Sequence, residues 1–418
     1  MGTFLEILNV AWVTIGLILC VIVFTEVGVD AIRKRIRKMR YGDKGKVVYS
    51  SLADAYRDED WADDYFHEYQ NIKSRWAPYV HWWMKPHRGR LITVDERGLR
   101  HTWQPPAGSA GGEKRRFYVF GGSTVFGVGV RDDWTIPSLL AKRLSEKGMD
   151  VDIVNLGQPG HASTQEVITF FEQLKTGDIS DLAFFYHGLN EIIHAEATGR
   201  VGGLFKEENR RQEFNLLSDE RREDLVREAI ATLTSRTRRR LRGLGKILGL
   251  PQGQETDYVR FTRQDIPKLS NDIMQYYAEN IRNIRAVARN RGITVRFVLQ
   301  PSLFGKKSMT DFEAGHLFDA APAPELRIPL FEAAYDAWRR NPFLSGHADT
   351  IDLGALFDDR EEGIFCDPFH LVEGGNETVA DVLFPHVVEA LDKKPRIQQV
   401  HHGVLGAAGV LVHRHPGF

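Results

Sequence analysis

Residues 115–127, "RRFYVFGGSTVFG", run from a short apolar segment into two glycines and a serine. The apolar residues 117–120 predict a buried strand, and Ser123 follows directly after its end. Three roles are open for this serine: a turn or helix-capping residue, part of a phosphate-binding loop, or a nucleophile at the edge of a sheet. Its neighbours in the chain decide between them.

The chain beyond Ser123 alternates between short apolar runs and longer segments with helical periodicity. Such alternation is typical of a parallel sheet covered by helices on both faces, so we predict an α/β fold. Val167, Phe171 and Leu174 are predicted on the buried face of one helix, and Pro385 is expected to kink or end the last one. The further predicted strands are residues 151–157, 182–188 and 293–301, and the predicted helices are residues 136–148, 164–177, 271–292 and a last helix from about residue 374.

The composition narrows the class of protein. The chain has 418 residues, of which 42% are hydrophobic and 27% charged, as in a largely globular protein. A net charge of -1 provides no general attraction to nucleic acid, so no nucleic-acid partner is expected. The two cysteines, Cys20 and Cys366, are too few for a disulfide framework.

The N-terminus carries an apolar segment followed by a basic one. Residues 7–25 contain no charged side chain and have about the ~20-residue length that spans a bilayer. Residues 33–40, "RKRIRKMR", contain six basic residues. We predict a transmembrane anchor within residues 1–28, with both segments contacting the membrane. The positive-inside rule favours a cytoplasmic location for the rest of the chain.

Shifts in composition divide the remaining chain. Residues 29–115 are predicted to be a basic juxtamembrane segment and an aromatic-rich preamble, whose aromatic side chains we expect to pack against the sheet rather than line a cleft. A main domain at residues 116–395 contains a charged helical insertion at 196–265. The insertion is interpreted as solvated helices, with a helix on the membrane surface as the alternative. Residues 396–418 are predicted to be a disordered tail.

The residues around Ser123 argue against a phosphate-binding role. Val128 stands where a P-loop needs lysine, and Asp132 stands where a dinucleotide fingerprint needs its third glycine. A nucleophilic serine instead needs a histidine base and an orienting carboxylate. Residues 366–377, "CDPFHLVEGGNE", provide Asp367 and His370 three positions apart in a predicted turn.

Four short blocks occur in the order "FGGST", "NLGQPG", "YHGLNE" and "DPFHL", three of them at predicted strand ends. They resemble the blocks of the SGNH, or GDSL-type, hydrolase superfamily over about residues 116–392. Gly-Ser-Thr at residues 122–124 replaces Gly-Asp-Ser, and "GLNE" replaces a Gly-x-Asn-Asp block. Residues 95–102, "DERGLRHT", also resemble a preamble of membrane-anchored bacterial members. The resemblance implies a flavodoxin-like three-layer α/β/α fold and ester chemistry.

The resemblance assigns a role to each matching residue. Ser123 is the expected nucleophile, His370 exchanges its proton, and Asp367 holds the histidine tautomer. The backbone N–H groups of Ser123 and Gly157 and the side-chain amide of Asn190 are the expected oxyanion hole. Each residue alone has an ordinary structural explanation, such as a cap or a tight turn, but their joint order favours catalysis.

Three functions fit this resemblance. The first is an esterase or deacetylase that acts on an acylated glycan, a lipid or a small ester. The second is an O-acyltransferase, and the third is an inactive glycan-binding module. No metal or cofactor is expected. His187 and Glu191 are expected to support the site, and His194 is expected at the surface. Envelope-glycan chemistry would place the domain outside the cell, so the membrane face stays open.

Overall fold

A computed structural model describes most of the chain between residues 53 and 392. The described residues are 53–106, 114–204, 261–318 and 324–392, with isolated positions 10, 12–14, 16, 17, 35 and 207. The predicted anchor, the basic segment, most of the insertion and the predicted tail lie outside these residues. In the part of the chain that is described, no helix is both long and apolar enough to cross a membrane.

The described residues form two antiparallel hairpins, one larger sheet and the helices around it. The hairpin strands are β1 Ser74–Ala77, β2 His81–Met84, β3 His87–Arg88 and β4 Thr93–Val94. The strands of the larger sheet are β5 Arg115–Gly121, β6 Val151–Gly157, β7 Leu182–His187, β8 Thr294–Leu299 and β9 Thr350–Asp352. The helices are α1 Ala62–Tyr69, α2 Ser123–Phe126, α3 Ile136–Glu146, α4 Ser163–Lys175, α5 Leu189–Thr198, α6 Ile266–Arg291, α7 Asp311–His316, α8 Pro324–Arg340, α9 Pro342–Ser345 and α10 Glu373–Asp392.

The larger sheet is parallel, with strand order β6-β5-β7-β8-β9. Numbered within the sheet this order is 2-1-3-4-5, the order of flavodoxin-like folds. Right-handed crossovers in opposite directions place α3 on one face and α4, α6 and α8 on the other. The contacts agree, because α10 packs on α3 while α6 packs on α4 and α8. The predicted α/β fold with a parallel sheet is therefore confirmed.

The structure corrects two details of the predicted helices: the last helix does not end at Pro385, and Phe171 does not lie on the buried face. Helix α10 continues through Pro385, which lies on its exposed face, while Val379, Leu383 and Val387 hold the opposite face in the core. Proline has no N–H, so one carbonyl group in the preceding turn loses its hydrogen bond within the helix, and water can solvate this group on the exposed face. The packing of the opposite face therefore outweighs the cost of the lost hydrogen bond. Phe171 is 40% exposed, because α4 buries the neighbouring face.

Several elements escaped prediction, among them β9 and α8. Strand β9 has only three residues, too few to show a period, and α8 carries an internal proline at Pro329. Strand β9 completes the sheet at its far edge, where it pairs with β8, and α8 packs on α6. Short elements of this kind are stabilised by tertiary contacts and leave a weak local signal.

The N-terminal residues 53–106 pack on the segment that follows α2. The guanidinium of Arg100, which is buried, donates hydrogen bonds to the carbonyl oxygens of Phe126 at 3.4 Å, Gly127 at 3.2 Å and Val130 at 3.0 Å. It also pairs with Asp132 at 2.5 Å. One side chain from the N-terminal part thereby fixes the backbone directly after α2.

Two tyrosines hold the same segment. Tyr65 donates its hydroxyl hydrogen to the carbonyl of Gly127 at 2.9 Å and accepts from the N–H of Gly129 at 3.0 Å. Tyr56 donates to the carbonyl of Gly129 at 2.6 Å. Gly127 and Gly129 have φ of 93° and 94°, a conformation that favours glycine. The N-terminal part is thus packed directly around the loop that supports α2.

Candidate active site

Ser123 lies at the carboxyl edge of the sheet. Strand β5 ends at Gly121, and α2 begins at Ser123. In the sheet, β6 is the neighbour of β5 on one side and β7 is its neighbour on the other side, so the direction of the strand connections reverses at β5. This is the topological switch point at which parallel α/β folds place their ligands. As the first residue of a helix, Ser123 also has a backbone N–H without an intrahelical acceptor.

Ser123, His370 and Asp367 are joined by hydrogen bonds. The Nε2 atom of His370 lies 2.7 Å from the Ser123 hydroxyl oxygen, and its Nδ1 atom lies 2.6 Å from Asp367 Oδ2. With Asp367 ionised, Nδ1–H donates to the carboxylate, and Nε2 accepts the serine hydrogen. The structure brings together all three residues that the sequence singled out for a triad.

The environment of Asp367 keeps it charged. Burial by itself raises the pKa of this carboxyl group. The adjacent His370 and two backbone N–H groups outweigh burial and hold the pKa below its ordinary value. Those N–H groups belong to Phe369 and His370 and donate to Oδ1 at 2.9 Å each. A carboxylate that is ionised and fully bonded can orient the imidazole and stabilise its protonated form.

A side-chain bridge ties the nucleophile segment to the histidine segment. Arg131, eight positions after Ser123, donates to Glu373 through its backbone N–H at 3.1 Å, its Nε at 2.8 Å and its Nη2 at 2.6 Å. Glu373 begins α10, three positions after His370. The bidentate geometry restrains both direction and distance, so the separation of Ser123 and His370 is held from outside the triad.

Asn190 lies in the first turn of α5, beside the nucleophile. Its Nδ2 atom donates to the carbonyl of His161 at 2.6 Å. A Cβ atom added to Gly122 would lie 2.4 Å from the same Nδ2 atom, so the amide packs against the residue that precedes Ser123. Gly122 therefore makes room for Asn190. One amide hydrogen is used by His161, and the other is bonded to none of the described residues.

Gly157 does not offer the free N–H group that the sequence predicted. Its N–H donates to Asn155 Oδ1 at 2.9 Å, and Asn155 in turn donates to the carbonyl of Val125 at 2.8 Å. A Cβ atom on Gly157 would lie 2.4 Å from the backbone nitrogen of Phe126. The glycine is required because α2 packs directly on β6, and its predicted role as an oxyanion donor is corrected to one of packing.

Gly157→Ala is expected to destabilise the fold by about 3 kcal/mol, because overpacking against a fixed backbone forces α2 to shift. Urea denaturation measures the loss. The matched control is Gly315→Ala, where a Cβ atom would meet nothing within 4 Å. If both variants had the stability of the wild type, the close packing of α2 on β6 would be refuted.

Gly160 was not among the residues that the sequence predicted near the nucleophile. It lies in the loop between β6 and α4 with φ of 78°, and its carbonyl accepts a hydrogen bond from His194 Nε2 at 2.8 Å. Its own N–H donates to none of the described residues. The next residue, His161, contacts Asn190, so this loop lies beside the nucleophile. The signal was present, since Gly160 is the second glycine of the block "NLGQPG".

Two buried histidines support this loop. His194, predicted at the surface, is only 5% exposed because α5 packs on the loop. His161 is also buried and lies 3.0 Å, through Nε2, from the carbonyl of Trp82. Burial lowers the pKa of both imidazoles, in His161 to about 4. Both rings are therefore neutral at physiological pH and act as hydrogen-bond donors to backbone carbonyls.

The buried His161 is expected to make the folded state sensitive to acid. Its pKa is about 4 when folded and about 6.5 when unfolded, so the unfolded chain binds more protons between these values. When the pH is lowered from about 7 to about 5, the free energy of unfolding should decrease by about 2 kcal/mol more in the wild type than in His161→Gln. Urea titrations at both pH values measure this, with the exposed His101→Gln as control. Equal losses in wild type and His161→Gln would contradict the expectation.

The two residues expected to support the site contact the start of α4. The carboxylate of Glu191 accepts from the N–H of Ser163 at 2.5 Å. His187 Nδ1 lies 2.8 Å from the Glu166 carboxylate, and both side chains are buried. Burial raises the pKa of Glu166 above its ordinary value. Among the described residues, no cluster of three or more histidine, cysteine or acidic side chains is placed to hold a metal ion.

Comparisons with known proteins show low similarity. No protein-family model and no curated protein matches the chain. The solved structures that it resembles include an acetyl xylan esterase, with 15% identity, a TM-score of 0.34 and coverage of 65% of this chain and 99% of the other. A carbohydrate acetylesterase family member from Sinorhizobium meliloti has 14% identity, a TM-score of 0.33 and coverages of 66% and 99%. A member of the lipolytic protein G-D-S-L family from Veillonella parvula has 12% identity, a TM-score of 0.34 and coverages of 68% and 100%. At these values the likeness carries no argument about activity, which rests on the geometry of the site.

Proposed function

We propose that the protein is a serine-dependent ester hydrolase of the SGNH type that works through an acyl-enzyme. The observation that carries the proposal is the hydrogen-bond chain from Asp367 through His370 to Ser123 at the switch point of the sheet. A serine hydroxyl is a weak nucleophile unless a base removes its proton, and this chain supplies both the base and the group that orients it.

In the first step, Ser123 Oγ attacks the carbonyl carbon of an ester while its proton passes to His370 Nε2. The carbonyl oxygen becomes negatively charged in a tetrahedral intermediate. The backbone N–H groups of Ser123 and Gly160 and the free amide hydrogen of Asn190 are its donors. Loss of one donor of this kind typically costs about 10²–10³ in rate.

The intermediate then breaks down. The C–O bond to the alcohol breaks, His370 gives its proton to the departing oxygen, and the acyl group stays on Ser123. A water molecule attacks this acyl-enzyme, His370 takes the water proton, and the carboxylic acid leaves as the serine regains its hydrogen. The Asp367 carboxylate stabilises the imidazolium in both halves of the cycle.

The proposal is tested with the purified full-length chain and two reagents. A fluorophosphonate probe should add one adduct per chain by intact mass, and p-nitrophenyl acetate should give a burst of about one nitrophenolate per chain before steady turnover. Circular dichroism and a cooperative thermal transition establish that the sample is folded. A folded chain that formed no adduct and turned over no ester would refute the proposal.

A further inference from the structure

A large cavity opens beside the proposed oxyanion donors. Its volume is about 620 Å³, within the range of small-molecule sites. Gly160 and Asn190 form one of its walls. Hairpin β1–β2, the residues that follow α1 and helix α5 supply most of the remaining lining, whose apolar side chains are Tyr69, Ile72, Trp82, Met84, Pro159 and Ile193.

Hydrogen bonds fasten the hairpin to the loop that carries Gly160. Trp82 Nε1 donates to the carbonyl of Pro159 at 2.8 Å, and the N–H of Met84 donates to Gln158 Oε1 at 2.9 Å. From α4, Gln165 Nε2 donates to the carbonyl of Val80 at 2.7 Å. The aromatic preamble therefore lines a cleft as well as packing on the domain, which corrects the expectation of packing alone.

The turn of this hairpin is strained. Tyr79 and His81 have φ of 64° and 68°, which side chains other than glycine rarely adopt. The N–H of Val80 donates to the carbonyl of Pro78 at 2.7 Å, and that of Trp82 donates to the carbonyl of Val80 at 2.8 Å, so two three-residue turns follow each other. Both His81 and Trp82 line the cavity. Strain of this kind persists only where surrounding contacts hold it, and it concentrates at ligand sites.

The position of the cavity identifies which half of an ester it receives. The departing alcohol must lie at His370, since this residue gives it a proton. Within the described part of the chain, the cavity is lined by the oxyanion donors Gly160 and Asn190 and by none of the triad residues. A group that enters it is thus attached on the carbonyl side of the bond that breaks, which is the acyl side.

The lining also identifies the chemistry of the acyl group. No lysine, arginine, aspartate or glutamate of the described chain lines the cavity. Three of its polar side chains are already engaged, since Trp82 donates to Pro159, His194 bonds to Gly160 and Asn190 donates to His161. A charged acyl group would lose its hydration here without meeting a side chain of opposite charge. An aliphatic chain makes no hydrogen bonds to water and therefore loses none on entering the cavity.

Resting on the hydrolase function proposed above, we propose that this cavity binds an uncharged aliphatic acyl chain longer than acetyl. The protein is then a medium-chain acyl esterase, and Ile72 and Trp82 set the chain length. Each methylene buried in an apolar site improves binding about fourfold, so octanoyl esters should exceed acetyl esters by at least about tenfold in kcat/KM.

The test uses p-nitrophenyl acetate, butyrate and octanoate below their micellar concentrations with the full-length protein. Ile72→Trp adds an indole ring inside the cavity, and Lys73→Trp adds the same ring at the exposed neighbouring position. Ile72→Trp should lower the ratio of octanoate to acetate kcat/KM about tenfold. Lys73→Trp should retain the octanoate preference.

The outcomes separate this proposal from the function on which it rests. Absence of both labelling and turnover would refute the hydrolase itself. Normal labelling and acetate turnover without a gain from acetate to octanoate would overturn the acyl-chain site and leave the hydrolase standing. An octanoate preference that survives Ile72→Trp in a folded, labelled protein would also overturn it, because the chain would then bind elsewhere.

Discussion

Ser123→Ala is expected to lower ester hydrolysis by about 10⁴–10⁶-fold and to abolish labelling by a fluorophosphonate. The alanine removes the only atom that forms the acyl bond in the proposed mechanism, while the donors around it stay in place. Because Ser123 Oγ has no hydrogen bond with the described residues other than the one it donates to His370, the variant should unfold at a temperature close to that of the wild type. Steady-state hydrolysis of p-nitrophenyl butyrate and intact mass after labelling measure the two effects.

The matched control for this experiment is Ser308→Ala, which makes the same chemical change at an exposed loop position. It should keep wild-type turnover and one adduct per chain. If folded Ser123→Ala retained turnover within about tenfold of the wild type, or still formed the adduct, another residue would be the nucleophile and the proposed mechanism would be wrong.

Asp367→Asn is expected to lower kcat/KM by about 10⁴-fold. Asp367 accepts the hydrogen on His370 Nδ1, which leaves Nε2 free to take the serine proton. An asparagine amide group facing Nδ1 would donate instead, so that the ring carries its hydrogen on Nε2 and cannot act as base. The hydrogen bonds from the N–H groups of Phe369 and His370 can be kept by the amide oxygen, so the turn should remain folded.

A matched control is Asp358→Asn, which removes an acidic side chain outside the triad that pairs with Lys307 at the surface. It should hydrolyse esters within about twofold of the wild type. Single-turnover labelling distinguishes a slow nucleophile from a misfolded protein, because Asp367→Asn should form the full adduct slowly. Wild-type turnover in folded Asp367→Asn would mean that the carboxylate does not act through His370.

The triad shows how far local sequence could lead. Asp367 and His370 lie in one turn, and their spacing already brings both side chains to the same side of it. Ser123 is far away in the chain, but it directly follows a strand of the sheet. In a parallel sheet the carboxyl ends of all strands lie at the same edge, so Ser123 must lie at that edge. These partners were predicted because four short blocks occur in an order that resembles the SGNH superfamily, whereas Asp367 and His370 alone are a weak signal.

The oxyanion donors show where local sequence was insufficient. Gly157 and Gly160 lie in one block, and the block alone does not show that the side chain of its first residue, Asn155, is turned toward the N–H of Gly157. The choice depends on Asn155, which takes the N–H of Gly157 and bonds to Val125 of α2. His194 was misplaced for a similar reason, because its acceptor is a carbonyl 34 positions earlier in the chain.

The sequence by itself determined the parallel α/β sheet, the place of Ser123 at its edge and the pairing of Asp367 with His370. These follow from runs of consecutive residues, whose burial pattern and turn geometry are local properties. Only the tertiary structure decided, through the bond of Asn155 to Val125, which glycine N–H is left unbonded among the described residues, and that hairpin β1–β2 forms the wall of a cavity beside it. The reason is physical: a hydrogen bond or a cavity wall joins groups from distant segments, and their meeting depends on how the whole chain packs.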